Sequence, residues 1–199
     1  MIVVGRTRET LEATGLDWAV ADVRDAERLE ELASSLDDVG ALVNCAGGQF
    51  VAAADDISPN GWRAVVETNL TGTWNACRAF RRALAANGGG AIVNVVANVW
   101  QRSAPGLAHS GAARAGVVSL TRTLAVEWAP AIRVNALSPG LVDTPALRAY
   151  GTDVDAAAER TPLKRLGTVD EMAAAVRYLL DAPYVTGTVL VADGGLQLA

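Results

Sequence analysis

Lysine is almost missing from this 199-residue chain: Lys164 stands alone among 17 basic residues, and all the others are arginine. Histidine is reduced to His109 and cysteine to Cys45 and Cys77. Two thiols make no disulfide framework and fit reduced, buried groups. No metal site is expected. No apolar run is long enough to span a bilayer, no signal peptide is evident, and the closing Leu-Gln-Leu-Ala is not a peroxisomal address. Cytoplasm is therefore the expected location. A formal charge of −5 argues against a nucleic-acid surface and leaves small molecules and proteins as partners.

What is present is an ordinary soluble composition, 51% apolar and 20% charged, sized for a single domain over residues 1–199. Short apolar runs at Ile2–Val4, Asp17–Val23, Ala41–Cys45, Ala91–Val96, Ile132–Ala136 and Val189–Val191 predict strands. Helix-period stretches lie between them, near Arg8–Thr14, Asp25–Leu36, Gly61–Ala86, His109–Glu127 and Val169–Leu180. Alternation of this kind predicts an α/β fold with a doubly wound, Rossmann-like parallel sheet. Leu141–Pro162 has poor periodicity and reads as a long loop with a short helical piece, placed to cover a substrate at the carboxyl edge of the sheet.

One more absence concerns the start. A dinucleotide-binding sheet opens with a strand, a Gly-rich turn and a helix, and the amides of that turn cradle the pyrophosphate. Met1–Arg6 instead reads as the end of a second strand, so the first βα unit, roughly 30 residues, is expected to be missing. Either Ile2–Val4 slides into the vacant slot or the natural protein starts upstream; the second is the expectation.

Several motifs carry chemistry. The run His109–Trp128 holds Ser110 and Arg114 four residues apart on one helix face. Asn44-Cys45-Ala46-Gly47 follows a strand, Asn69 sits within Glu67–Thr73, and Pro139-Gly140 closes another strand. Together with Asp22-Val23, Thr186-Gly187 and Asp193-Gly194-Gly195, these resemble the short-chain dehydrogenase/reductase family from Met1 to the C-terminus. The intervals from Asn69 to Ala97 and to Ser110 are those usual in that family.

The resemblance implies site residues one by one. Asp22 and Val23 match the pair that contacts adenine, although Asp22 alone reads equally well as a helix cap. Asn44, Ala46 and Gly47 match the turn that approaches the cofactor, and Pro139, Gly140, Val142 and Thr144 match the nicotinamide side. Arg6 stands where a cation suits the 2′-phosphate of NADPH (NADP+), with a solvated surface pair of Arg6 and Arg8 as the alternative.

The family's catalytic Ser, Tyr and Lys positions fall on Ala97, Ser110 and Arg114, so only Asn69 of the usual tetrad survives. A Ser hydroxyl is a far poorer acid than a phenol with pKa ~10. Arg114 can bind ribose hydroxyls yet will not relay protons. Ketone reduction needs a good acid at the oxygen, whereas reduction of an enoyl thioester needs mainly oxyanion donors.

Leu42–Asn44 with Gly48-Gln49-Phe50, Glu67–Thr73 and His109–Trp128 resemble the peroxisomal trans-2-enoyl-CoA reductase branch, which is close to the 2,4-dienoyl-CoA reductases. The expected function is NADPH-dependent reduction of a trans-2-enoyl thioester, with Asn69, Ser110 and Arg114 catalytic and a homodimer or homotetramer as the assembly. The alternatives are a 3-oxoacyl (carbonyl) reductase and a non-catalytic reductase-fold subunit or truncated product. Tyr150 in the covering loop and Trp100 after the fifth strand are further candidates for the acyl pocket, and His109 for an acid.

Overall fold

The computed structural model describes residues 1–86, 88–149 and 153–199. Among the described residues, six strands and eight α-helices follow one another as β1 (Ile2–Gly5), α1 (Arg8–Glu12), β2 (Asp17–Val20), α2 (Ala26–Ser34), β3 (Ala41–Asn44), α3 (Pro59–Val66), α4 (Gly72–Ala86), β4 (Gly90–Val95), α5 (Ala108–Glu127), β5 (Ile132–Pro139), α6 (Pro145–Ala149), α7 (Val154–Glu159), α8 (Val169–Asp181) and β6 (Val189–Ala192). All ladders are parallel. Parallel strands need crossover segments, and here helices supply most of them.

Packing explains the strand sequences. β4 is buried along its centre on both faces. Ile92 joins Leu84 of α4, Leu124 of α5 and Val134 of β5 in the largest apolar cluster, while the next residue, Val93, packs on Leu137 and Leu179 of α8. A strand covered on both sides reads as a continuous apolar run, which is why Ala91–Val96 lacks alternation. The result is a helix–sheet–helix sandwich of the expected Rossmann-like class.

The sheet is divided. β3, β4, β5 and β6 form one four-stranded sheet in that order, and β1 pairs only with β2. Among the described residues no ladder joins β1 to β3, so Ile2–Val4 does not slide in beside β3. The β1–β2 pair is tied to the main body through helices instead. Val23, just past β2, packs on Gly72 at the start of α4 and accepts a hydrogen bond from Asn75 Nδ2 at 3.0 Å.

Among the boundaries that differ from expectation, three bear on the site. β2 stops at Val20 rather than Val23, because Asp22 turns the chain by accepting from the Arg24 backbone N–H at 2.9 Å. β5 runs on to Pro139. The predicted loop contains α6 and α7, the latter capped by Asp153, which accepts from Ala156 N–H at 3.0 Å. No helix among the described residues is long and apolar enough to cross a membrane.

Candidate active site

Strand ends define the site. Asn44, Val95, Pro139 and Ala192 terminate β3 to β6, so the segments after them emerge along one carboxyl edge, where ligands of open α/β sheets bind. The loop after β3 and the first turns of α5 meet there.

α5 turns Ser110 and Arg114 inward with Ala113 and Val117. The guanidinium of Arg114 donates from Nη1 to the Val95 carbonyl at 2.9 Å, and its buried Nε has no partner among the described residues. Burial lowers the guanidinium pKa, and Cys45 opposes that shift. A side chain on Gly47 would put Cβ 2.3 Å from Arg114 Nη2 and 2.7 Å from Asn69 Oδ1, so only glycine fits between them. Ala97, in the family's Ser position, caps the turn Asn98–Trp100 with no hydroxyl to offer.

Asn69 lies in a π-helical turn, Glu67–Thr71, that interrupts an otherwise continuous run from Pro59 to Ala86. Such turns shift the backbone register and often mark functional positions. The Asn69 amide is fully buried. Its Nδ2 donates to the Val65 and Gly48 carbonyls, each at 2.7 Å, and its Oδ1 accepts from Gly48 N–H at 3.3 Å. The side chain is therefore occupied in holding the loop after β3.

Ser110 is buried too, and its Oγ–H donates to Gln49 Oε1 at 2.7 Å. Gln49 stands in the Gly48-Gln49-Phe50 motif, where a carboxamide after two glycines carries no periodic signal that would assign it a role. His109 has no exposure and stands edge-on to Phe50, with ring centroids 4.3 Å apart. Neither of its nitrogens has a hydrogen-bond partner among the described residues. Trp100 donates from its indole N–H to Ser138 Oγ at 3.1 Å and packs beside Val96, Val117 and Val118, which makes it a core residue first. Tyr150 lies outside the described residues.

Of the predicted cofactor contacts, Asn44 behaves differently. Its amide donates to Asn94 Oδ1 at 2.9 Å, and Asn94 donates in turn to Thr121 at 2.9 Å. That ladder knits β3, β4 and α5 together, so the Asn44 side chain is structural. Cys45 and Ala46, next in the turn, are exposed, as is Gly47.

Arg6 is exposed at the end of β1 and has no ion pair among the described residues, whereas Arg8 pairs with Glu12 at 2.9 Å. Asp22 is gripped by Arg24, with Oδ2 2.6 Å from Nη2. That hydrogen bond, despite opposing burial, lowers its pKa to about 2.

At the nicotinamide side, Gly140 donates to the Ala192 carbonyl at 3.0 Å, and a Cβ there would lie 2.6 Å from Asp193 Cα. Val142 bridges to Gly167, and Thr144 Oγ1 accepts from Leu147 N–H at 3.2 Å. A cleft of about 400 Å³ lies beside this turn, lined by Leu141, Leu163, Met172, Val191 and the Arg165–Glu171 pair. No cluster of three metal-ligating side chains occurs among the described residues.

Residues 4–197 match the family profile described as Enoyl-(Acyl carrier protein) reductase. The chain is 37% identical over 220 residues to a probable 2,4-dienoyl-CoA reductase [(2E)-enoyl-CoA-producing] of Bacillus subtilis (strain 168), covering 100% of this chain and 87% of that protein. It is 42% identical over 164 residues to the peroxisomal 2,4-dienoyl-CoA reductase [(3E)-enoyl-CoA-producing] of Pongo abelii, covering 79% of this chain. That second match takes in only 56% of the relative, about half its length. The solved structure of a gluconate 5-dehydrogenase from Burkholderia cenocepacia J2315, in complex with NADP and tartrate, superposes with a TM-score of 0.91 at 31% identity, covering 100% of this chain and 85% of that one.

Proposed function

This chain belongs to the short-chain dehydrogenase/reductase family of oxidoreductases, and on that premise we propose that it reduces the C2–C3 double bond of a trans-2-enoyl thioester with NADPH. The residues present fit a nicotinamide nucleotide. Arg24 is ion-paired with Asp22, and the exposed Arg6, with no ion pair among the described residues, is available to a 2′-phosphate. Gly47 and Gly140 keep side chains off the two turns that face the edge of the sheet, and Arg114 brings a fixed positive charge to the first of them. NADPH, when bound, supplies a hydride.

The single observation that carries this reading is Ser110: an alkanol, buried and hydrogen-bonded, at the position of the family's phenol. A ketone turning into an alkoxide needs a proton at once from a tuned acid, and Ser110 cannot give one. An enoyl thioester accepts hydride at Cβ, and charge spreads into an enolate that needs hydrogen-bond donors. Ser110 offers one O–H, Arg114 adds positive charge, and Asn69 fixes the loop that carries Gln49, the partner of Ser110. Water protonates Cα.

A 2,4-dienoyl thioester is the second reading, favoured by the two reductase relatives. Its longer conjugation spreads the charge further and asks still less of Ser110.

NADPH consumption with crotonyl-CoA, a 2,4-dienoyl-CoA and acetoacetyl-CoA tests the proposal. Turnover of a conjugated thioester well above acetoacetyl-CoA is expected; the reverse order refutes it. NADPH binding without turnover of any of the three points to a non-catalytic subunit. We also propose a homodimer or homotetramer, supported by Trp74 on α4 and Val126 on α5, both exposed. A monomer by light scattering refutes that.

A further inference from the structure

Residues 48–50 are fixed at three successive points. Asn69 clamps both backbone groups of Gly48, Gln49 Oε1 accepts the Ser110 hydroxyl hydrogen at 2.7 Å, and the Phe50 ring stands against His109. The same ring fills the space before Gly61, where an added Cβ would come within 2.8 Å of it. With its neighbours held on either side, the Gln49 carboxamide is directed at Ser110 by the fold.

We propose that Gln49 is a positioning residue that makes Ser110 selective for the transition state. The proposal rests on the enoyl-thioester reading. Three oxygens compete for one hydrogen, and their strengths as acceptors differ. An amide carbonyl outranks a neutral thioester carbonyl, because the thioester sulfur donates little electron density to its oxygen. A thioester enolate outranks both.

In the ground state the Ser110 hydrogen therefore stays on Gln49. As charge builds on the substrate oxygen, the hydrogen swings to it, and the Gln49 carbonyl is released. No bond between heavy atoms changes and no proton leaves Ser110; only the direction of its O–H does. The interaction with substrate is then made in the transition state and hardly at all in the Michaelis complex, which raises kcat without lowering KM.

A double-mutant cycle on Gln49→Leu and Ser110→Ala tests this, with kcat and KM for crotonyl-CoA read separately and NADPH titration confirming an intact fold. Q49L is expected to lower kcat and KM together, each by up to about tenfold, because the freed hydroxyl then also binds the carbonyl of the ground state. S110A/Q49L should be no slower than S110A alone. Losses that multiply, or a Q49L effect confined to KM, overturn the proposal.

If Q49L fails to fold, Gln49→Asn, whose carboxamide is one methylene short of Ser110, carries the same expectation. Gln49→Glu adds a signature that a merely structural residue lacks. The carboxylate holds the hydrogen too strongly, so kcat should be depressed at neutral pH and recover as the new acid protonates. A pH-independent loss counts against the proposal. Turnover of acetoacetyl-CoA only would sink the enoyl reading, and the cycle on that substrate would still judge Gln49. Turnover of neither substrate by wild type would sink both.

Discussion

Two adjacent glycines give a sharp test of the site geometry. Gly47→Ala would place a methyl 2.3 Å from Arg114 Nη2 and 2.7 Å from Asn69 Oδ1, far inside van der Waals contact. Asn69 cannot retreat, since its amide makes three hydrogen bonds. Arg114 ends a flexible side chain, but moving it sacrifices the 2.9 Å bond to the Val95 carbonyl. Overpacking of this kind costs about 1–3 kcal/mol, and a lost hydrogen bond from a charged donor about as much as the middle of that range.

Taking roughly 2 kcal/mol net, with about 2–4 °C per kcal/mol for a domain of this size, Tm should fall by roughly 4–8 °C. NADPH affinity should fall with it, because the guanidinium is displaced. Gly48→Ala is the control: its Cβ meets nothing within 4 Å and its φ is not in the left-handed region, so Tm should stay within about 2 °C. Thermal unfolding of the two variants beside wild type decides. Equal melting temperatures for G47A and G48A would refute the packing of Gly47 between Asn69 and Arg114.

Other expectations follow from single features. Arg6→Asp should move the cofactor preference from NADPH toward NADH without changing Tm, since Arg6 is exposed and has no ion pair among the described residues; an unchanged preference ratio removes it from the 2′-phosphate site. His109→Leu should cost less than about 1 kcal/mol in urea unfolding, because both imidazole nitrogens are buried without partners among the described residues and an apolar replacement loses no hydrogen bond there. A loss above about 3 kcal/mol would expose a polar role for the ring.

The depressed pKa of Asp22, about 2 against 3.8, contributes stability that is present above pH 3.8 and lost as pH falls through 2. Screened by solvent around Arg24, that contribution is about 1 kcal/mol, and Asp22→Asn should flatten the urea midpoint between pH 5 and pH 2 by that amount. Burial pushes the Cys77 thiol up to about 12, so a disulfide reagent at mildly alkaline pH should label Cys45 quickly and Cys77 only on unfolding. Two fast thiols in the native protein would contradict the buried setting of Cys77.

The elements that periodicity controls were readable in the chain. Ala91–Val96 announces a strand covered on both faces, and His109–Glu127 a long helix with Ser110 and Arg114 on one side. What the residues could not tell was where each polar side chain spends its hydrogen bonds. Asn44 and Asn69 look alike as turn and helix asparagines. One closes an internal ladder to Asn94, and the other clamps Gly48. Gln49 meets Ser110 across 61 positions, a pairing that depends on the loop path after β3 rather than on any local pattern. Over Leu141–Pro162 the chain announces only one short helical piece where α6 and α7 both form, because helices of five and six residues span too few turns to repeat an apolar face.

The division of the sheet bears on how the molecule behaves in concentrated solution. β1, Ile-Val-Val-Gly, and β3, Ala-Leu-Val-Asn, each leave one flank without a ladder partner among the described residues, and neither carries a charge or a proline. Ile2, Val4 and Val43 are exposed there. Unpaired, uncharged flanks are templates for strands from other molecules, and proteins usually guard them with lysine, of which this chain has almost none. The 199-residue chain should therefore aggregate as its concentration rises, and a charge placed at Val4 or Val43 should keep it dispersed.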